Sequence, residues 1–404
     1  DLGVVANMAQ TVVVMYHGRI VESGTASDLF KDPGHPYLSA LFKAVPRFGM
    51  AASERLMPVR TIEHELGEHF QSPASQALQA GPLLDVRHLC KTFTIRGTGL
   101  FGRNESTRVK AVDDVSFSIQ RGECLGLVGE SGCGKTTVSK ILMRALSPDS
   151  GSVEFHDAQG PVNLFGLDDD AMMAMRRKMQ LIFQDPFSSL SPRMTVFDIV
   201  REPLVIHQRG DTASQRELVQ ELMRLVGLDP RFLSRYPHSF SGGQRQRISI
   251  ARALALQPQL LICDEPVSAL DVSIQAQVLN LLKDLKSELG LTYLFISHNL
   301  AVIDYIADRV AVMHRGRLVE MASRDQLFSN PAHPYTRSLL QAVPHPDLAK
   351  PLDFEAITAS GGSDPNQWPT AFQLDAGSDS QWLDLGQGHR VRARANANPG
   401  EIMQ

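Results

Sequence analysis

The segment GESGCGKTT, Gly129 to Thr137, gathers three glycines, a lysine and two adjacent hydroxyls within nine residues. An apolar, strand-like run, CLGLVG from Cys124, leads into it, and VSKILMRAL, a helical pattern, follows. In that setting the spacing G-x-x-x-x-G-K-S/T builds a polyphosphate cradle. Gly129, Gly132 and Gly134, with Glu130, Ser131 and Cys133 between them, let successive backbone N–H groups turn toward one point, and the helix N-terminus adds its positive dipole end. Lys135 is expected to reach the β- and γ-phosphates of a nucleotide; Thr136 is expected to ligate Mg²⁺, with Thr137 closing the loop. A charge-assisted hydrogen bond is worth roughly 1.5–3 kcal/mol, so losing Lys135 should weaken binding tenfold or more. The competing reading, a Gly-rich turn with an incidental lysine, requires a chance match of about one in a hundred for such a chain.

A second acidic feature lies downstream. QLLICDEP places four apolar residues, Leu260 to Cys263, before Asp264 and Glu265, as expected for a strand buried on both faces whose carboxyl end carries chemistry. Asp264 is expected in the Mg²⁺ shell, and Glu265 is expected to polarise an attacking water. Alone, an apolar strand ending in Asp-Glu is as easily a surface turn; paired with the phosphate cradle it reads as the other half of one nucleotide site. MQLIFQDP ends in Gln184 and TYLFISHN in His298, two more polar residues after apolar strands and suited to sensing a γ-phosphate. In FSGGQRQRISIARAL, Ser241 with Gly242, Gly243 and Gln244 makes a helix N-cap and a second exposed anion site. One nucleotide cannot occupy both helix N-termini unless folding or association brings them together.

These residues need elements to hold them. From Leu83 to about Ala322, short apolar strands alternate with helical stretches, which predicts an α/β domain with a largely parallel sheet. Residues 47–82 mix charge, Ser, Gln, Ala and Pro without sustained periodicity and read as a linker. Residues 347–404, rich in Asp, Ser, Gly, Pro and Asn, read as a weakly structured tail with one strand near GHRVRA. The chain also repeats itself: residues 1–46 align without a gap on 299–344, with 20 of 46 pairs identical, including HPY at His35 to Tyr37 and at His333 to Tyr335. Each copy reads as helix, strand, turn, strand and a helix ending before Val-Pro. Because the first copy lacks the cradle that should precede it, the expectation is a natural tandem fusion, with TVVVMY at Thr11 exposing an unsatisfied apolar edge.

Composition sets the outer bounds. Forty Lys and Arg against 44 Asp and Glu, a net charge of −4, give no basic excess to favour nucleic acid as a partner. Four scattered cysteines form no C-x-x-C pair, which argues against zinc or a disulfide scaffold and for a reduced cytosolic setting. No apolar run approaches the roughly 20 residues that span a bilayer, so contact with a membrane is expected through a partner.

Taken in order, these motifs resemble the nucleotide-binding domains of ABC transporters over Leu83 to about Pro344. GESGCGKTT is similar to Walker A, Gln184 to the Q-loop, SGGQ to the signature, LLICDEP to Walker B, Ser268, Ala269, Leu270 and Asp271 to the D-loop, and His298 to the switch histidine. Phe93, in CKTFTI, is similar to the aromatic that stacks on adenine, although TIRGTGLFGRNESTR separates it unusually far from the core. QDPFSSLSPRMTV and HPYTRSLLQAVP resemble the ATP-binding subunits of oligopeptide and dipeptide importers. The resemblance implies a P-loop NTPase fold of the ABC type: a mostly parallel core sheet, an antiparallel β-subdomain and an α-helical signature subdomain. It implies a complete ATPase domain over 83–322, an importer-type extension over 323–346, and a remnant of a first ATPase domain over 1–46. It implies Mg²⁺-dependent ATP hydrolysis with Glu265, His298 and Gln184 at the reacting phosphate, and Thr136, Gln184 and Asp264 around the metal. Implied partners are a second ATPase domain, fused or homodimeric, whose ATP meets this signature; integral membrane permease subunits; and, indirectly, a periplasmic or extracellular solute-binding protein. The implied location is the cytoplasmic face of a bacterial inner membrane. A soluble ABC-type ATPase acting on nucleic acid or ribosomes, and a regulatory module without hydrolysis, are the alternatives. The first expects a second intact domain or a coiled-coil insertion; the second is weakened by the presence of Lys135, Asp264, Glu265 and His298.

Overall fold

The computed structural model describes residues 2–51, 53–70, 81–96, 106–353, 355, 362–373 and 380–402. The middle of the insertion after Phe93 lies outside them. Fourteen strands are described: β1 (Thr11–Tyr16), β2 (Arg19–Thr25), β3 (Pro82–Arg96), β4 (Ser106–Gln120), β5 (Cys124–Val128), β6 (Ser150–Asp157), β7 (Gly160–Asn163), β8 (Met179–Ile182), β9 (Leu260–Asp264), β10 (Thr292–Ile296), β11 (Arg309–His314), β12 (Arg317–Ser323), β13 (Ser380–Asp384) and β14 (Arg390–Arg394). The main sheet runs β13-β14-β12-β11-β5-β10-β9-β8. From β11 to β8 its neighbours are parallel, with β5 between β11 and β10. Every residue of β5, β9 and β10 is buried, which is why these strands read as unbroken apolar runs: helices pack on one face, and a helix with an antiparallel sheet on the other.

A separate antiparallel sheet, β4-β3-β6-β7, packs its inner face with Leu84, Val86, Ile119 and Phe155 against β5 and the helix Lys135–Leu142. Between β8 and β9 the chain makes a helical block, of which the helix Gly242–Leu254 is the most deeply buried part. None of the helices among the described residues is long and apolar enough to cross a membrane.

The sequence repeat is a structural repeat. β1 and β2 pair with the same register and the same irregularity, between Val14 and Met15, as β11 and β12 show between Val312 and Met313. The surroundings differ. β11 is paired with β5, and Ala311, Met313 and Leu318 are buried, whereas among the described residues β1 pairs with β2 alone and Val13, Met15 and Ile20 are 53%, 61% and 65% exposed.

Residues 47–70 run extended across the domain, sinking Met50, Leu56 and Phe70 into the main core. The helix Val272–Leu289 holds them through its side chains: Asn280 Nδ2 donates to the Leu56 carbonyl (2.9 Å) and Gln277 Nε2 to the Arg60 carbonyl (2.6 Å). In the tail, which reads from sequence as weakly structured, β13 and β14 extend the main sheet beyond β12, and Trp368, Phe372, Val391 and Ala393 are buried. The strand near GHRVRA is β14. Its anchor is buried Glu320, whose carboxylate accepts from the Ala332 and His333 amides and lies 2.7 Å from His389 Nε2.

Candidate nucleotide site

The loop after β5 turns back on itself at two glycines that nothing else can replace. Gly129 has φ +151°, and a Cβ there would lie 2.1 Å from the Met313 carbonyl oxygen; Gly134 has φ +115°, with the Ala111 carbonyl oxygen 2.1 Å from its Cβ position. The helix Lys135–Leu142 starts at Gly134, which caps it without a side chain, so its first N–H groups remain directed at the loop. Lys135 is buried and curls over the loop, donating to the carbonyls of Gly129 (2.7 Å) and Glu130 (3.0 Å).

A cavity of about 430 Å³ opens above this loop, lined by Ser131, Gly132, Gly134, Lys135, Thr136, Thr137, Gln184, Glu265, His298 and Ala111. Four strand ends therefore meet at one place, because β5, β8, β9 and β10 are parallel neighbours whose carboxyl ends lie on the same side. Glu265 adopts φ +49°, and its amide donates to the Ile296 carbonyl (2.9 Å), which turns its carboxylate from the end of β9 into the cavity. Gln184 Nε2 donates to Glu265 Oε2 at 2.9 Å, and His298 Nδ1 lies 3.0 Å from Glu265 Oε1. Asp264 sits behind, accepting from Thr136 Oγ1 (3.3 Å) and Ser139 Oγ (3.1 Å). Burial raises the Asp264 carboxyl above its ordinary range, against the pull of those two hydroxyls. The donor set of Thr136, Asp264 and Gln184 is all oxygen with a single carboxylate, which suits Mg²⁺ shared with phosphate oxygens.

The remaining sequence-predicted residues lie apart from the cavity lining. Ser241 caps the helix Gly242–Leu254, and Gln244 Oε1 returns a bond from the Ser241 amide (3.0 Å), a capping box. Gly243 leaves room for Ile274, whose methyl would be 2.0 Å from a Cβ there. Ile274 is itself held by Asp271, whose Oδ1 accepts from its amide (3.1 Å), and Ser268 Oγ donates to the Glu265 carbonyl (3.1 Å). The segments 241–244 and 268–271 are thus one clamped unit, with Ala269 exposed at its tip and Leu270 half-buried. Phe93 is 39% exposed on β3, opposite Val109 and with Lys91 Nζ 5.9 Å from its ring centre.

Sequence reading missed Ser139, Ala111 and Tyr335. Ser139 stands one turn after Thr136 and could have been found from helical spacing. Ala111 enters through the antiparallel sheet, with no local signal. Tyr335 accepts a hydrogen bond from the Glu130 amide at 3.0 Å across 205 residues of chain; the repeated HPY marked it without saying what it touches.

Residues 112–268 match the family described as ABC transporter, and residues 21–71 and 319–367 each match the C-terminal region of oligopeptide/dipeptide transporters. The glutathione import ATP-binding protein GsiA of Shigella flexneri is 46% identical over 349 residues, 85% of this chain and 55% of its own length. GsiA of Salmonella typhimurium is 46% identical over 355 residues, 87% of this chain and 56% of its own. The chain spans about half the length of these relatives. Among solved structures, the dimeric post-hydrolysis state of the ATP-binding cassette MJ0796, bound to ADP and Pi, is 29% identical and superposes with a TM-score of 0.51 over 60% of this chain and 98% of its own. The cbiO1 protein of Clostridium perfringens, 24% identical with a TM-score of 0.52 over 62% of this chain and 91% of its own, shares the fold. With its core and its repeated C-terminal region both matched, this chain belongs to the ABC transporter ATP-binding proteins of the oligopeptide/dipeptide type.

Proposed function

We propose that the chain is the ATP-binding and hydrolysing subunit of a bacterial importer for peptides or related small solutes, glutathione being the solute that its relatives' names suggest. The observation that carries this reading is the convergence of Lys135, Thr136, Gln184, Glu265 and His298 on one cavity. In the proposed reaction the loop amides and Lys135 take the phosphates, Lys135 exchanging two carbonyls for phosphate oxygens. Thr136 and Asp264, with Gln184, would hold Mg²⁺, which would supply charge neutralisation at the phosphates. Glu265 accepts the proton of the attacking water, and Gln184 and His298 fix its carboxylate from either side. Phe93 offers its exposed ring to adenine.

Ser241 to Gln244 are outside the lining of this cavity, which supports their serving the ATP of a second ATPase domain, fused or a second copy. The repeat supports a fused partner, with residues 1–46 closing a first domain, 83–322 forming the second and 323–346 its extension. Permease subunits in the membrane, and a solute-binding protein beyond them, complete the assembly, which places this chain at the cytoplasmic face. The test is MgATP hydrolysis by the purified chain, with activity per mole rising with protein concentration. Glu265→Gln should retain ATP and lose nearly all turnover; full turnover in that variant refutes the mechanism.

A further inference from the structure

Tyr335 is fully buried at the start of the helix Pro334–Gln341, and its hydroxyl oxygen accepts the N–H of Glu130, the second residue of the phosphate-binding loop. On the outer side of the same residue, Ser363 Oγ donates to Glu130 Oε1 at 2.5 Å. Ser363 is itself held in place: its carbonyl lies 3.1 Å from His314 Nε2, and the preceding Gly362 carbonyl accepts from Trp368 Nε1 at 3.1 Å. The His314 ring packs on Tyr335, centroids 4.3 Å apart, and on Trp368 at 5.0 Å. One loop residue is gripped from inside the fold by the HPY segment and from its rim by the tail.

The first copy of the repeat serves as a built-in comparison. There Glu22 accepts from the Gly34 and His35 amides, and His35 Nδ1 accepts from the Tyr37 amide at 3.1 Å, the same clamp and the same length as His333 with Tyr335. Tyr37 nevertheless stacks on Tyr16, with ring centroids 4.3 Å apart, and among the described residues no loop amide meets its hydroxyl. The HPY turn therefore forms without the contact. The bond from Glu130 to Tyr335 is an added task and not a requirement of the turn.

That task has a physical rationale. A loop whose amide dipoles converge on one point repels itself when empty, so a group that fixes it beforehand removes part of the ordering cost of binding. We infer that Tyr335 and Ser363 are positioning residues of the nucleotide site, through which the HPY segment and the tail hold the phosphate-binding loop ready for ATP. The inference rests on the ATP-binding reading above. Because coupling is reciprocal, nucleotide must also tighten the docking of the tail.

The test uses the full chain. Tyr335→Phe keeps the ring and removes the oxygen; the net worth of one hydrogen bond predicts a three- to tenfold rise in the Kd for ATP, roughly, with kcat at saturating MgATP within about twofold of the parent. Ser363→Ala, on an accessible loop that cannot unfold the core, should raise Kd about two- to threefold. In a Trp382→Phe background, Trp368 alone reports the tail; MgATP should change its emission, and Tyr335→Phe should weaken that response. A Kd for ATP within twofold of the parent in Tyr335→Phe, or a fall in kcat with Kd unchanged, overturns the inference. Failure of the parent chain to bind ATP would instead overturn the ATP-binding reading, and the inference with it.

Discussion

Acidification should destabilise the fold around His314 and His333. His314 is buried at the end of β11 between Tyr335 and Trp368, and burial, followed by the charge of Arg315, pushes its pKa down to about 4 in spite of Glu130 and the Ser363 carbonyl. His333, beside it, is held well below its usual value by burial, then by His314 and Arg337. In the unfolded chain a histidine titrates near 6.5. The folded value is depressed, so the unfolded chain binds the extra proton; the stabilisation is complete above about pH 6.5 and declines as pH falls toward 4. For His314 alone, a shift from about 6.5 to about 4 amounts to about 2 kcal/mol lost between pH 7.5 and 5, near thirtyfold in the unfolding equilibrium. Both tryptophans of the chain, Trp368 and Trp382, lie in the tail, so urea titrations followed by tryptophan emission report this region. The parent should lose about 2 kcal/mol or more over that interval, and His314→Gln, which keeps a donor for Ser363 but cannot titrate, should lose about 2 kcal/mol less. Equal pH dependence in the two proteins refutes the reasoning.

Gly134→Ala should abolish nucleotide binding while the circular dichroism stays native, because its Cβ would meet the Ala111 carbonyl at 2.1 Å in a left-handed backbone. Asp264→Asn should leave thermal stability at pH 7 unchanged or higher, yet eliminate MgATP turnover. The raised pKa of Asp264 makes its charged form a cost to folding, felt as pH rises from the unfolded value through the folded one. Met15→Lys should reduce concentration-dependent light scattering without altering the Kd for ATP, since Met15 is exposed on β1 and is not among the residues that line the cavity.

Legibility tracked how local each structural cause is. Gly129, Lys135, Asp264 and Glu265 are readable because a strand, a tight turn and a helix N-terminus are adjacent in sequence, so their chemistry shows as spacing. Gln184 and His298 were visible as polar residues after apolar strands, and the parallel order of β8, β9, β10 and β5 brings them together. Ala111 carries no such mark, because an antiparallel sheet delivers it from outside the parallel core. Residues 47–70 read as a linker for a related reason: an extended strap buries single anchors such as Leu56 and Phe70, which leaves no periodicity to detect. The tail gave a weak signal because β14 gains its partners at β12, about 70 positions earlier, and its five residues include three arginines.

The two copies of the repeat separate what local sequence determines from what context determines. Strand register, the irregularity after Val14 or Val312, the histidine cap and the glutamate clamp are the same in both, so about 46 residues suffice to specify them. Burial is not the same. β11 joins β5, and its Met313 packs over Gly129 and Gly134, so that the hairpin forms one wall of the loop after β5. β1 has the matching Met15 in the matching place, where it is 61% exposed. A two-stranded hairpin is marginal alone in water, and this one keeps its apolar outer face without any charged replacement at Val13, Met15 or Ile20. At the matching positions of the second copy, Ala311, Met313 and Leu318, the same face is fully buried, so the exposure of the first hairpin comes from its surroundings and not from its sequence.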